Sequence, residues 1–165
     1  MNKEFAWSDE YSVGIDEIDA QHKTLFKLIN RLHSAILHKE GSKTCGGILD
    51  ELVDYTRIHF TLEQTLMRIG NFPEYEAHCE MHRALVAEVE SLQKKIASGQ
   101  VAISFELLHF LRNWLTKHIL GEDKKYGDFF KSGGQQRQRH IQGWTEHSQE
   151  SMEKHRKKRK WWQFW

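Results

Sequence analysis

The chain has 165 residues, enough for one well-buried core with a remainder, and its two cysteines are too few for a disulfide framework. No apolar run approaches the ~20 residues of a membrane span, and the start lacks the apolar stretch of a secretory signal, so we expect a cytoplasmic protein. The net charge of +1 conceals an asymmetry: residues 1–130 carry 15 Lys and Arg against 20 Asp and Glu, whereas residues 131–165 carry 9 against 3. We therefore expect two parts, a folded domain over 1–130 and a basic, Trp-rich extension over 131–165.

Four segments carry apolar residues at intervals of three and four, the spacing of an amphipathic α-helix. Gly70 is a suitable stop for the second segment, Pro73 fits the first turn of the third, and Ser104 is a suitable N-cap for the fourth. We expect Gly121 to end the fourth helix. Short connections favour an all-α, up-down-up-down four-helix bundle with an ordered arm before it and a C-terminal tail. The predicted helices cover residues 18–38, 44–69, 73–99 and 105–121.

A flexible joint is expected at residues 132–134, where one serine precedes two glycines. The tail beyond it has a thin apolar stripe at helical spacing, which predicts a helix that is marginal without a partner. The stripe consists of Ile141, Trp144, Ser148 and Met152.

Residues 154–165 combine six Lys and Arg with four aromatic side chains. This composition suits an anionic membrane surface, here at the inner face of the membrane, or a protein partner. Nucleic acid is the less favoured partner, although charge and stacking could hold RNA. The segment could also fold back onto the bundle or be unstructured. The aromatic residues are Trp161, Trp162, Phe164 and Trp165.

Seven side chains of the kinds that bind metals lie in or just after the four helical segments. Three pairs are separated by four, four and five residues, and a gap of four places two side chains about 40° apart on one helix face. Imidazole and carboxylate groups are costly to bury without partners, so the pattern predicts four helices that direct ligands into a shared core. Seven ligands are too many for one zinc ion. The residues are His22, His59 with Glu63, His78 with His82, and His118 with Asp123.

This ligand set fits two iron-like ions, which together offer about twelve coordination positions. If Glu63, Asp123 and one oxo or hydroxo group each bridge both ions, the five histidines leave about one position vacant for dioxygen. Imidazoles outnumber carboxylates five to two, unlike the carboxylate-rich sites of oxygen-activating ferritin-like bundles. We therefore expect binding rather than enzymatic turnover.

Over roughly residues 5–130 the chain resembles the bacterial hemerythrins. It departs from them at Gln64, where relatives often carry a second glutamate that is not a ligand. The matching stretches are Trp7 with Tyr11-x-Val13-Gly14-Ile15, Ile18-Asp19-x-Gln21-His22-Lys23, His59-Phe60-x-x-Glu63, Leu66-Met67, Gly70-x-Phe72-Pro73-x-x-x-x-His78-x-x-x-His82, and Trp114-Leu115-x-x-His118-Ile119-x-x-x-Asp123.

The resemblance implies two iron ions bridged by an oxo or hydroxo group and by the carboxylates of Glu63 and Asp123. Dioxygen would take one electron from each ferrous ion and leave when the electrons return. Leu115 would be the apolar wall of the oxygen pocket, which excludes water. The resemblance assigns His78, His82 and His118 to a closed iron, and His22 and His59 to the open one.

We therefore expect reversible dioxygen binding for storage or delivery, without enzymatic activity. One alternative is an oxygen or redox sensor that signals through a separate partner. Another is detoxification of peroxide or nitric oxide, which would need a proton donor near the open position, where Leu115 and its apolar neighbours offer none.

Three further polar residues could lie near the ligands. His109 is half a helical turn out of phase with His118, and His33 lies ~16 Å along the axis from the first ligand, so neither is expected in the site. Tyr126 is a candidate hydrogen-bond donor to a ligand.

Overall fold

The computed structural model of the protein describes residues 5–162, except the side chain of Trp162. Phe164 and Trp165 of the predicted aromatic end lie outside this range. The described residues contain helices and no strand. The helices are α1 (Asp16–Leu37), α2 (Ser42–Ile69), α3 (Tyr75–Ala97), α4 (Phe105–His118), α5 (Lys124–Ser132) and α6 (Gly134–Trp162), with a 3₁₀ turn at Asp9–Tyr11 and a π-helical turn at Ile119–Asp123.

The predicted four-helix bundle is confirmed: α1, α2, α3 and the α4–α5 unit pack their apolar stripes into one core. The first two helices begin and end within two residues of the predicted bounds, and Gly70 is the C-cap of α2. Ser104 is the N-cap of α4, as predicted. Pro73, however, lies in the turn before α3, because that helix begins only at Tyr75.

The prediction that Gly121 ends the fourth helix is wrong. At His118 the chain enters the π-helical turn, which runs through Gly121 and continues directly into α5. A π turn closes hydrogen bonds between residues five apart, whereas five α-helical residues would leave two side chains about 140° apart. The turn therefore brings His118 and Asp123 onto the same side of the helix, towards the core.

The amino-terminal arm packs across α1 and α5. Asn30 holds it at one end, since the Phe5 amide donates to Oδ1 of Asn30 over 3.0 Å. At the other end the amide of Val13 donates to Asp19 over 2.9 Å. α5 approaches the arm so closely at Gly127 that a Cβ there would overlap the carbonyl oxygen of Val13. The predicted ordered arm is thus built into the bundle.

α6 folds back onto the bundle, which was one of the alternatives for the tail. Trp144 is 2% exposed and donates its indole N–H to the carbonyl of Leu62 in α2 over 2.7 Å. Ser148 is fully buried one turn later. At the predicted joint, the Arg137 guanidinium lies 3.6 Å from the ring centroid of Phe129 in α5. The predicted tail helix is therefore confirmed, and its partner is the bundle itself.

Within residues 5–162, no helix has both the length and the apolar character needed to cross a membrane. Cys45 and Cys79 are both buried and both free thiols. This agrees with the expectation that the chain has no disulfide framework.

Candidate metal centre

The structure brings all seven predicted metal-binding side chains together in the core. α1 contributes one of them, α2 and α3 two each, α4 one and the π turn one. Each is 5% exposed or less, although all seven are polar. The seven are His22, His59, Glu63, His78, His82, His118 and Asp123.

Three imidazoles converge at one side of the cluster. The Nε2 atoms of His78 and His82 are 3.1 Å apart, and those of His82 and His118 are 2.9 Å apart. Glu63 places Oε2 3.2 Å from Nε2 of His82, and Asp123 places Oδ1 3.0 Å from Nε2 of His118. These five side chains can offer one metal ion three nitrogen and two oxygen atoms that all lie within 4.8 Å of one another.

The other two imidazoles meet the opposite oxygens of the same carboxylates. Nε2 of His22 lies 3.3 Å from Oδ2 of Asp123, and Nε2 of His59 lies 3.8 Å from Oε1 of Glu63. Each carboxylate therefore turns one oxygen towards the three-histidine group and one towards the two-histidine group. That is the arrangement of two carboxylates able to bridge a pair of metal ions.

The cluster leaves buried polar atoms without hydrogen-bond partners in the described chain. They include both ring nitrogens of His22, Oε2 of Glu63 and both carboxylate oxygens of Asp123. Leaving such atoms unsatisfied costs about 1–3 kcal/mol each. Four of these atoms, all except Nδ1 of His22, face the other ligands of the cluster, which fits metal ions that would take their lone pairs.

The electrostatics of the cluster also favour cations. Burial lowers the pKa of His59 to about 3, so its imidazole is neutral and its lone pair is free. Burial would likewise lower the pKa of His78, but the carboxylates of Asp123 and Glu63, 3.3 and 3.5 Å from its Nε2, raise it to about 10. The neighbouring imidazoles hold the pKa values of both carboxyls well below their usual range despite burial. Without metal, a protonated imidazole supplies part of the positive charge that the two carboxylates require.

Polar side chains around the cluster fix the ligands. The hydroxyl of Tyr126 donates to Oε1 of Glu63, which confirms the predicted hydrogen bond. Nδ1 of His59 lies 2.9 Å from Oε1 of Gln21, and Nδ1 of His82 lies 3.0 Å from the side-chain amide of Gln64. Sequence reasoning gave neither glutamine a role. Gln64 had been noted only as a departure from the hemerythrin pattern, and it in fact contacts a predicted ligand.

Aromatic faces enclose the three-histidine side. The ring of Phe60 stacks on His82 with the centroids 3.6 Å apart and the planes at 3°. Trp114 stacks on His118 at 4.3 Å and 16°. These contacts restrict rotation of the imidazoles and keep water from the cluster.

Leu115 lies in the core beside this site and is 6% exposed. It lines a cavity of about 30 Å³ together with Phe60, Trp114 and other apolar residues. Thr56 also lines this cavity, but its hydroxyl donates to the carbonyl of Leu52 in its own helix. The one hydroxyl in the cavity wall is therefore already engaged in a hydrogen bond.

The two histidines predicted to lie outside the site do so. His33 is buried against Phe105, with the ring centroids 6.0 Å apart, and His109 is exposed. Among the described residues neither belongs to a group that could hold a metal ion.

A four-helix bundle with five imidazoles and two shared carboxylates at its centre defines a helical metalloprotein with a two-ion site. A family model described as the hemerythrin HHE cation binding domain matches residues 13–130. The chain belongs to the hemerythrin family, and it is a dioxygen-binding protein with a di-iron centre as its cofactor.

Known hemerythrins are similar to most of the chain. A bacteriohemerythrin of Stenotrophomonas maltophilia is 36% identical over 126 residues, 76% of this chain and 81% of the relative. One of Methylococcus capsulatus is 36% identical over 118 residues, 72% and 89% of the two chains. A crystal structure of wild-type hemerythrin superposes with a TM-score of 0.72 at 34% identity and covers 74% of this chain and 95% of that one.

Proposed function

We propose that the seven clustered side chains bind two iron ions and that the protein stores or delivers dioxygen by binding it reversibly. The observation that carries this proposal is that Glu63 and Asp123 each divide their two oxygens between the two histidine groups. His78, His82 and His118 would hold one ion, and His22 and His59 the ion with the open position. The ferrous pair supplies, when bound, the two electrons that dioxygen takes and returns.

The surrounding residues of the chain support binding rather than turnover. Tyr126 holds Glu63 by a hydrogen bond. Burial together with the nearby carboxylates raises the pKa of the Tyr126 hydroxyl well above 10, so that hydroxyl stays protonated. Leu115 and Phe60 keep the oxygen pocket apolar, which limits the entry of water and protons. Turnover of peroxide or nitric oxide would need an available proton donor in that wall, and the one hydroxyl there, that of Thr56, already donates to the carbonyl of Leu52.

The test is iron content together with the visible spectrum, recorded while the reduced protein is cycled between argon and air. We expect about two irons per chain and a band that appears in air and fades under argon. His59→Ala and Glu63→Ala should lose iron, because the remaining ligands cannot complete the site. His109→Ala, at an exposed histidine, is the matched control and should retain it. Two irons that oxidise once and never release dioxygen would favour sensing or peroxide and nitric oxide chemistry instead.

We further propose that residues 1–130 are the hemerythrin-like unit and that the extension, residues 131–165, docks the protein on an anionic membrane surface from the cytoplasm. Lys154, Lys158 and Lys160 are exposed near the end of α6, and Trp161 is 63% exposed. Exposed lysines next to an indole suit an anionic headgroup region, where each cation contributes about 1 kcal/mol.

Co-sedimentation with vesicles tests the docking surface. The full chain should bind vesicles that contain phosphatidylserine and should not bind neutral phosphatidylcholine vesicles. Deletion of residues 154–165 should abolish binding, and so should a triple charge reversal of Lys154, Lys158 and Lys160. If the full chain partitions equally with both vesicle types or with neither, the membrane proposal fails, and a protein partner becomes the better explanation of the basic end.

A further inference from the structure

A chain of buried hydrogen bonds links α6 to the metal cluster. His59 faces the cluster with Nε2, and its Nδ1 lies 2.9 Å from Oε1 of Gln21. On the far side, Nε2 of Gln21 donates to the hydroxyl of Ser148 over 2.7 Å. Gln21 is 2% exposed and Ser148 is 0% exposed. Ser148, which lies 89 positions after His59, thus ends a chain of hydrogen bonds that begins at a predicted iron ligand.

Glu17 fixes the direction of these hydrogen bonds. Its Oε1 lies 3.0 Å from Nε2 of Gln21 and 3.2 Å from the Ser148 hydroxyl, and a carboxylate can only accept. The Gln21 amide must therefore turn its NH₂ group towards Glu17 and its carbonyl towards His59. The carbonyl accepts a proton from Nδ1 of His59, which leaves the lone pair on Nε2 for a metal.

Ser148 completes the set of partners for Gln21. The amide NH₂ has two hydrogens, of which one goes to Glu17 and the other to the Ser148 oxygen. The Ser148 hydroxyl in turn donates to Glu17, which closes a ring of three hydrogen bonds. Without Ser148, one N–H of a buried amide has no acceptor, and only the bond to Glu17 still holds the amide in place beside His59.

α6 meets the bundle at the point where this ring lies. Trp144, one turn before Ser148, anchors the helix on α2 through the Leu62 carbonyl, and Gln149 donates to the second oxygen of Glu17 over 3.2 Å. Docking of α6 therefore determines whether Ser148 can reach Gln21. The family match ends at residue 130, so this contact comes from a part of the chain outside the matched domain.

We propose that Ser148 is a positioning residue for His59, and that docking of α6 sets the orientation and donor strength of that imidazole at the iron site. This inference rests on the proposed role of His59 as an iron ligand. It gives the extension a regulatory role, because anything that lifts α6 from the bundle also frees Gln21 and loosens one ligand of the open iron.

The test uses the iron-loaded, reduced, full-length protein and proton NMR of the imidazole N–H groups that the iron shifts out of the normal range. Gln21→Ala identifies the resonance of His59. In Ser148→Ala, solvent exchange of that N–H should accelerate about five- to ten-fold, the effect of losing one hydrogen bond, with the other imidazole resonances unchanged. Ser148→Thr keeps the hydroxyl and should restore the wild-type rate. Ser151→Ala, on the same helix, is the matched control.

The outcomes separate positioning from packing. If the His59 resonance is unchanged in Ser148→Ala while the amides of α6 remain protected from hydrogen exchange, the inference is overturned. Ser148→Ala could instead release α6 from the bundle. In that case Trp144→Ala, which releases the helix but keeps Ser148, must also change the His59 resonance. An unchanged His59 resonance in Trp144→Ala would overturn the inference as well. A wild-type protein that fails to bind two irons overturns the proposed function instead, a result visible before any variant is compared.

Discussion

Two of the five histidines of the cluster, His59 and His82, have neutral side-chain amides rather than carboxylates beside Nδ1. Nδ1 of His59 meets the carbonyl oxygen of Gln21. Nδ1 of His82 lies 3.0 Å from Nε2 of Gln64, and a 180° turn of that amide would present its carbonyl oxygen to a protonated Nδ1. An uncharged acceptor draws the N–H proton less strongly than a carboxylate does, so the imidazole donates less electron density to a metal. These partners should favour the ferrous state, which is the state that takes up dioxygen.

Gln64→Glu tests this argument at a single residue. The carboxylate would accept from Nδ1–H of His82 in a charge-assisted hydrogen bond, which strengthens the imidazole as a donor and stabilises ferric iron. We expect the midpoint potential of the iron centre to fall by on the order of 50 mV and autoxidation in air to accelerate. Gln100→Glu adds the same charge at an exposed position after α3 and is the control. Equal potentials in Gln64→Glu and wild type would contradict the argument.

The two pairs of clustered residues that are four positions apart, His59 with Glu63 and His78 with His82, were predictable because spacing alone places them on one face. A gap of four on an α-helix fixes which side chains share a face, whatever the helix packs against. Gln64 illustrates what spacing cannot predict. It follows Glu63 by one residue and so points about 100° away, and it reaches His82 only because α3 packs against that side of α2. Its role depends on how two helices are placed, which no local pattern specifies.

At the scale of elements, two features departed from simple helical expectations. The sequence predicts that the fourth helix stops at Gly121, within the five-residue gap from His118 to Asp123, whereas the structure absorbs the extra residue in a π-helical turn. Four stripe positions predict the tail helix but not its partner. The stripe could not identify it, because the spacing of the four residues shows which side of the helix is buried and not which surface covers it.

Trp144 is the main anchor of α6, since it and Ser148 are the two residues of that helix buried from solvent within the described chain. Trp144→Ala removes a large buried side chain and its hydrogen bond to Leu62, a loss of about 3–5 kcal/mol. We expect α6 to separate from the bundle while the other helices remain folded. Hydrogen exchange with mass spectrometry should then show rapid exchange over residues 134–162 alone. His147→Ala, exposed on the same helix, should exchange as wild type, and continued protection of α6 in Trp144→Ala would refute the anchor.

At the scale of the whole molecule, the buried polar centre makes the stability of the bundle depend on pH. Burial holds the pKa of His59 at about 3 and lowers that of His82, so both imidazoles are neutral in the folded chain. The unfolded chain binds protons at these histidines near pH 6.5, and the fold therefore loses stability as the pH falls below that value. His78 acts in the opposite sense. Burial lowers its pKa, but Asp123 and Glu63 raise it to about 10. The protonated His78 therefore stabilises the fold in acid, and this stabilisation is lost as the pH rises through 10.

The metal-free protein should consequently be less stable at pH 5 than at pH 7. Between these values His59 alone removes about 2 kcal/mol from the free energy of unfolding, and His78 returns somewhat less than about 1 kcal/mol. Urea unfolding of chelator-treated protein at both pH values measures the difference. His59→Leu removes the buried base, so the loss between pH 7 and pH 5 should shrink by about 2 kcal/mol, whereas His109→Leu, at an exposed histidine, should leave it unchanged. If His59→Leu and wild type lose stability equally, His59 is not the group that makes the empty bundle acid-sensitive.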